Sequence, residues 1–137
     1  MNIQHLANDV RMACQQVSRR VRFESGSEVA PHHASVLFKL VDGPRTPGEL
    51  AELERIAPPS MTKTVNCLEE KGLVSREDHP TDGRSKLVVL TDAGRAATKA
   101  IVRARDDWMV RKLQGLTKEE LELLKDATEL LNRVVAK

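Results

Sequence analysis

The sequence predicts a mainly α-helical fold with one small β-hairpin, and three observations lead there. Of 137 residues 40% are hydrophobic but only 2% aromatic, so the core must be aliphatic, built from Leu, Val, Ile and Ala. That composition suits helices packed on helices and argues against a large β-sandwich or barrel, whose strands lean on aromatic and β-branched side chains. Apolar residues recur at helical spacing along most of the chain, and only after Gly72 does the period become strand-like.

The elements follow in order. Ile3, Leu6, Ala7, Val10, Ala13, Cys14, Val17 and Val21 form the apolar stripe of a long first helix, which fades at Glu24-Ser-Gly-Ser. Pro31 sits where a first helical turn tolerates proline. The helix it opens carries Ala34, Leu37, Phe38 and Val41 inward and stops at Asp42-Gly43-Pro44. Thr46-Pro47-Gly48-Glu49 is a capping box, with the Thr hydroxyl on an orphan amide and Glu49 reaching back to the Thr46 N–H. A short helix through about Glu54 follows, with Leu50, Leu53 and Ile56 on its apolar side. Pro58-Pro59 turns the chain, and the next helix starts near Pro59, runs to about Lys71 and ends at Gly72.

Leu73–Glu77 and Lys86–Leu90 are β-prone runs separated by Asp78-His-Pro-Thr-Asp-Gly-Arg-Ser, a hairpin with a long polar tip. The tip exceeds the two-residue optimum, so either it moves or something holds it. Thr91-Asp92 caps a long helix striped with Ala93, Ala97, Ala100, Ile101, Ala104 and Trp108. Leu116-Thr117-Lys-Glu-Glu120 is a second capping box, opening a last helix with Leu121, Leu124, Ala127, Leu131, Val134 and Val135 in register. Three consecutive helices followed by a hairpin make a winged helix-turn-helix. The expected divisions are an N-terminal dimerisation helix over 1–30, the winged helix-turn-helix over 31–91 and C-terminal dimerisation helices over 92–137. Apolar stripes at both chain ends call for a partner chain, and a two-fold dimer is the commonest solution.

The formal net charge is only +2, so any nucleic-acid site must be a local patch. On a helical wheel of about 100° per residue, Ala57, Val65 and Leu68 fall with Met61 on the buried side of the fourth helix. Pro59, Thr62, Lys63 and Asn66 fall opposite, at the N-terminal half that a recognition helix inserts in the major groove. Asn pairs in bidentate fashion with adenine, Lys donates to guanine or phosphate, and Thr hydrogen-bonds or touches a thymine methyl. Ser60 and the cap residue Thr46 are placed for phosphates. An ordinary solvated face would read the same, but the hairpin tip adds Arg84 and Lys86, near Arg76, and an Arg on a protruding tip suits the minor groove. Asp82 would repel phosphates, so its expected task is internal: to pair with Arg76 or Arg84, or to cap the turn.

The run Pro59–Val74, Arg76, Asp78–Ser85 and the Leu90-Thr91-Asp-Ala-Gly94 segment resemble the MarR family of bacterial and archaeal transcriptional regulators. The Asp82-x-Arg84 wing followed by Leu-Thr-x-x-Gly is the specific part. The resemblance implies a homodimer with intertwined terminal helices, set on successive major grooves of a pseudo-palindromic double-stranded DNA operator. It implies that Ser60, Thr62, Lys63 and Asn66 read bases or phosphates, that Arg84 enters the minor groove flanked by Ser85 and Lys86, and that Asp82 is the acidic wing residue. Many such proteins are repressors released by small lipophilic or phenolic effectors. Phe23, Phe38 and Trp108 are the aromatic side chains that could line such a pocket.

Two alternatives stand beside this reading. Some relatives sense peroxides through a cysteine, and Cys14 is the candidate for a thiol redox switch. It lies on an apolar stripe and no Tyr is present to support a thiolate, so a buried, inert thiol is expected. A protein-interaction winged-helix module is the other. Cys14 and Cys67 stand far apart and form no Cys-x-x-Cys, as in a reduced cytoplasmic protein. His5, His32, His33 and His79 complete no metal-ligand spacing, so no metal or cofactor is expected. No apolar run approaches the ~18 residues of a membrane span, and the start lacks signal-peptide blocks. Hydrolase, P-loop and metalloprotease motifs are absent, so an enzyme is not expected.

Overall fold

Threonine hydroxyls start three of the helices. Thr46 Oγ1 accepts the Glu49 N–H at 3.1 Å, Thr91 that of Gly94 at 3.0 Å, and Thr117 that of Glu120 at 3.1 Å. Glu49 and Glu120 each return a bond to the cap residue's own N–H, completing both expected capping boxes. In the computed structural model, which describes residues 1–136, the elements are α1 Ile3–Glu24, α2 Pro31–Lys39, α3 Pro47–Glu54, α4 Pro58–Glu70, β1 Val74–Asp78, β2 Lys86–Leu90, α5 Asp92–Leu113 and α6 Lys118–Val135. The fold class is the one the sequence predicts, a mainly α-helical winged helix-turn-helix between terminal helices. The first strand lies one residue further along than expected.

One aliphatic core holds the lobe together. Val36, Leu37 and Leu40 of α2 and its end, Leu50 and Ala51 of α3, and Met61, Val65 and Leu68 of α4 pack with Val74, Val88 and Leu90 of the hairpin. Several residues expected inward lie elsewhere. Val41 is exposed because α2 has already ended at Lys39; Val36 and Leu40 take the inward places instead. Leu53 and Ile56 are exposed, since α3 is short and turns its Leu50–Ala51 edge to the core. Ala57 is exposed because it is the N-cap of α4, outside the helix the wheel assumed. On α5 the buried stripe is Gly94, Thr98, Ile101 and Trp108, while Ala93 and Ala100 face outward.

The hairpin is antiparallel, pairing Val74 with Leu90, Arg76 with Val88 and Asp78 with Lys86. Opposed residues share a face, so the inward position of Val74 and Val88 places Arg76 on the face turned to the helices. A feature with no sequence signal is the bridge between Arg45 and Val88, with bonds of 3.2 and 2.7 Å. It gives β2 a second neighbour and ties the loop before α3 to the wing.

The wing base is fastened at Thr91. Its hydroxyl donates to the Gly72 carbonyl at 2.6 Å while accepting from Gly94, and its N–H donates to the Leu73 carbonyl at 3.2 Å. Gly94 itself lies against the Leu73 backbone, where a Cβ would collide with the Leu73 carbonyl oxygen and approach Leu90 Cδ2 to 2.8 Å. The Leu-Thr-x-x-Gly segment is therefore a close crossing of α5 over the Leu73 main chain, between α4 and β1. Gly94→Ala should lower unfolding stability by about 2–4 kcal/mol, because the obstacle is main chain and cannot give. Denaturant melts of the two proteins measure this, and a loss under ~0.5 kcal/mol would contradict the crossing.

Candidate nucleic-acid interface

Helix α4 presents its outer face along Ser60, Thr62, Lys63 and Asn66, all exposed, while Met61, Val65 and Leu68 hold its inner face in the core. The i, i+4 spacing of the inner residues makes this division. Pro58 and Pro59 open the helix without N–H groups, and the Ser60 N–H already donates to the Ala57 carbonyl at 3.0 Å. This end therefore exposes the Ser60 hydroxyl rather than bare amides. Thr62 Oγ1 donates to the Pro58 carbonyl at 3.1 Å. The Thr46 hydroxyl is occupied as the α3 cap, with the Glu49 carboxylate against the same helix end.

Three cations were expected on the wing, and the structure uses two of them internally. Arg76 Nη2 donates to Asn66 Oδ1 at 2.7 Å while Nη1 binds the Glu69 carboxylate. Asn66 and Glu69, three apart on α4, meet Arg76 because β1 turns that side chain toward the helix. Lys86 pairs with Asp78 across the hairpin, and its ammonium, by hydrogen bond and charge, holds the Asp78 carboxyl below its usual value. Arg84 is exposed, and its guanidinium has no hydrogen-bond or ion-pair partner among the described residues. The same is true of the Lys63 ammonium.

Asp82 caps the turn and does not pair with either guanidinium. Its Oδ1 accepts the Arg84 N–H at 3.0 Å and its Oδ2 the Ser85 hydroxyl at 3.4 Å. A second fastening was missed in the sequence: His79 Nδ1 faces the N–H groups of Thr81 at 3.2 Å and Asp82 at 3.1 Å. Only an unprotonated Nδ1 can accept both, so the neutral ring carries its proton on Nε2. A His opening a Pro-Thr-Asp-Gly turn is the available signal, legible only as a local side-chain-to-backbone bond.

The three aromatic residues expected around a ligand are divided between two hollows and the core. Phe23 borders a hollow of about 360 Å³ with His32, Glu54 and Ile56, whereas Phe38 borders another of about 420 Å³ with Arg95, Lys99 and Val102. Trp108 lines neither hollow. It is buried, with Arg20 and Lys112 over its ring at 5.7 and 5.3 Å. Cys14 is exposed in the single chain, contrary to the expected burial, because the part of α1 on which it lies meets no other element among the described residues; Cys67 is half-buried. His32 and His33 pack ring to ring, 4.2 Å apart, and burial, helped by His32 and Lys71, lowers the His33 pKa.

Comparison with known proteins agrees with this geometry. The MarR family profile matches residues 27–85. An HTH-type transcriptional regulator of Mycobacterium tuberculosis is 39% identical over 132 residues, which span 95% of this chain and 92% of that protein. The structure of YusO from Bacillus subtilis superposes with a TM-score of 0.75 at 27% identity, covering 97% of this chain and 99% of that one. For the apo form of MarR from E. coli the TM-score is 0.74 at 26% identity, with 95% and 96% covered.

The wing tip is held by the bonds from the Thr81 and Asp82 amides to His79. A hydrogen bond of this kind is worth about 0.5–1.5 kcal/mol net, so His79→Ala should speed amide exchange at Thr81 and Asp82 by roughly three- to tenfold while sparing the amides of Val88 and Leu90. Unchanged exchange at the two tip amides would show that His79 does not hold the loop.

Proposed function

Since the chain belongs to the MarR family of winged-helix, DNA-binding transcriptional regulators and not to a family of enzymes, we propose that it works as a homodimeric repressor on a pseudo-palindromic duplex operator in the cytoplasm. The observation that carries this reading is the pairing of two projecting surfaces: the outer face of α4, with Ser60, Thr62, Lys63 and Asn66, and a wing tip whose Arg84 is uncommitted. In this reading α4 enters the major groove and Arg84 the neighbouring minor groove, where negative potential concentrates.

The dimer is supported by the chain ends. Neither α1 nor α6 buries a single residue, and Ile3, Leu6, Val17, Leu121, Leu124 and Val134 are left exposed. Apolar faces of that extent mark an association surface. Covering the α1 stripe also covers Cys14, which favours an inert thiol over a redox switch. Release by a small lipophilic or phenolic effector is supported by the hollow beside Phe38, which Val41 and Val102 line with Arg95 and Lys99. No helix among the described residues is long and apolar enough to cross a membrane.

The test is binding of the full chain to duplexes from its own promoter region, followed by fluorescence anisotropy over a salt series. Affinity should fall with a log–log slope of several units, and Arg84→Ala should weaken binding roughly tenfold and flatten any preference for A·T-rich flanks. Light scattering should report twice the chain mass, reduced to one chain by Leu124→Glu. Unchanged affinity in Arg84→Ala would remove the wing from the site, and no duplex binding at all would favour a protein-interaction module.

A further inference from the structure

We propose that Arg76 sets the base preference of Asn66, turning it from an adenine reader into a donor aimed at guanine. This rests on the reading of α4 as the helix that enters the major groove, and it departs from the bidentate adenine contact that an unconstrained Asn offers.

The amide orientation follows from donor chemistry. Arg76 Nη2 lies 2.7 Å from the Asn66 side-chain oxygen. A guanidinium has donors only, so a flipped amide would set N–H against N–H, and the oxygen must face Arg76. The Asn66 Nδ2 group is then the end left for a base. One lone pair of the oxygen remains, but a second donor approaching it, such as the adenine N6 amino group, would meet the positive guanidinium. An acceptor meets the opposite field, since the cation polarises the amide and strengthens its N–H groups as donors. Among major-groove edges, guanine alone offers adjacent acceptors, N7 and O6, whereas adenine places a donor beside its N7.

Arg76 is not free to leave for a phosphate. Its second nitrogen holds Glu69, three residues along the same face of α4. Released, Glu69 would present a bare carboxylate beside the operator backbone, so one guanidinium both orients Asn66 and neutralises the acid next to it. The strand register secures it further, since the residue opposite Arg76 is Val88, fully buried in the core. Arg76 is thus a positioning residue that acts through Asn66.

Selection of bound duplexes from a randomised pool, run in parallel with the full-length protein and three variants, tests this. The unaltered protein should select one position per half-site with guanine over adenine by roughly tenfold. Asn66→Ala should level that position alone. Arg76→Met, which frees the oxygen, should move it toward adenine with the rest of the consensus kept, and Arg76→Lys, still a donor, should retain guanine. A merely structural role for Arg76 would erode the whole consensus and could not change one base. Adenine at the Asn66-dependent position of the unaltered protein, unchanged guanine with Arg76→Met, or a consensus insensitive to Asn66→Ala would each overturn the proposal. Enrichment of no duplex would instead overturn the reading of the protein as a DNA binder, and the proposal with it.

Discussion

One hydroxyl joins three parts of the DNA-binding lobe. Thr91 Oγ1 bonds the carbonyl of Gly72, which ends α4, and the N–H of Gly94, which begins α5, while its own N–H reaches Leu73 at the root of the hairpin. The absence of a Cβ at Gly94 lets α5 cross against the Leu73 main chain. Without that close approach α5 would have to leave the hairpin at a different angle, and the terminal helices with it. The orientation of the lobe relative to the long helices is therefore decided over a few residues of main chain, where close packing transmits rather than absorbs a displacement.

A second fastening lies further out. Arg76 spans from the wing to Asn66 and Glu69 on α4, so the two projecting surfaces are coupled at their outer ends as well as at Thr91. His79 and Asp82 close the tip beyond it. A long polar loop that would otherwise lose entropy on binding is held in shape beforehand, which lowers the ordering cost of any contact it makes. Internal pairing also explains how a chain of net charge +2 can suit a polyanion. Glu69 and Asp78 are neutralised by Arg76 and Lys86, while Lys63 and Arg84 remain unpaired on the projecting surfaces. If Lys63 and Arg84 are the groups that meet DNA, as proposed, so few placed cations make recognition lean on base edges and groove shape more than on bulk charge.

Elements governed by neighbours in sequence were legible before the fold was known. The threonine caps, the proline starts, Gly72 as a stop and the hairpin strands all depend on residues within one turn or one strand. Burial was read less well, because it depends on which edge a helix turns to its neighbours. Leu53, Ile56 and Val41 match an apolar pattern but lie at helix ends that the core does not reach, whereas Gly94 and Thr98 are buried by the crossing of α5. The α4 outer face was recovered from periodicity alone, yet the partners of its residues were not. Arg76 and Asn66 are ten positions apart on different elements, and only the register that sets Arg76 opposite Val88 brings them together. The Arg45–Val88 bridge is similarly invisible, since a single paired residue leaves no alternating pattern.

Whether the outer face of α4 and the wing meet DNA as one body joined through Arg76 is read from a crystal structure of the protein on its selected operator. The expected complex has α4 in the major groove, Arg84 in the adjacent minor groove, and Arg76 Nη2 still bonded to Asn66 Oδ1 near the 2.7 Å seen without DNA. An Arg76 side chain swung out to a phosphate, with Asn66 turned to bind a base through its oxygen, would contradict it.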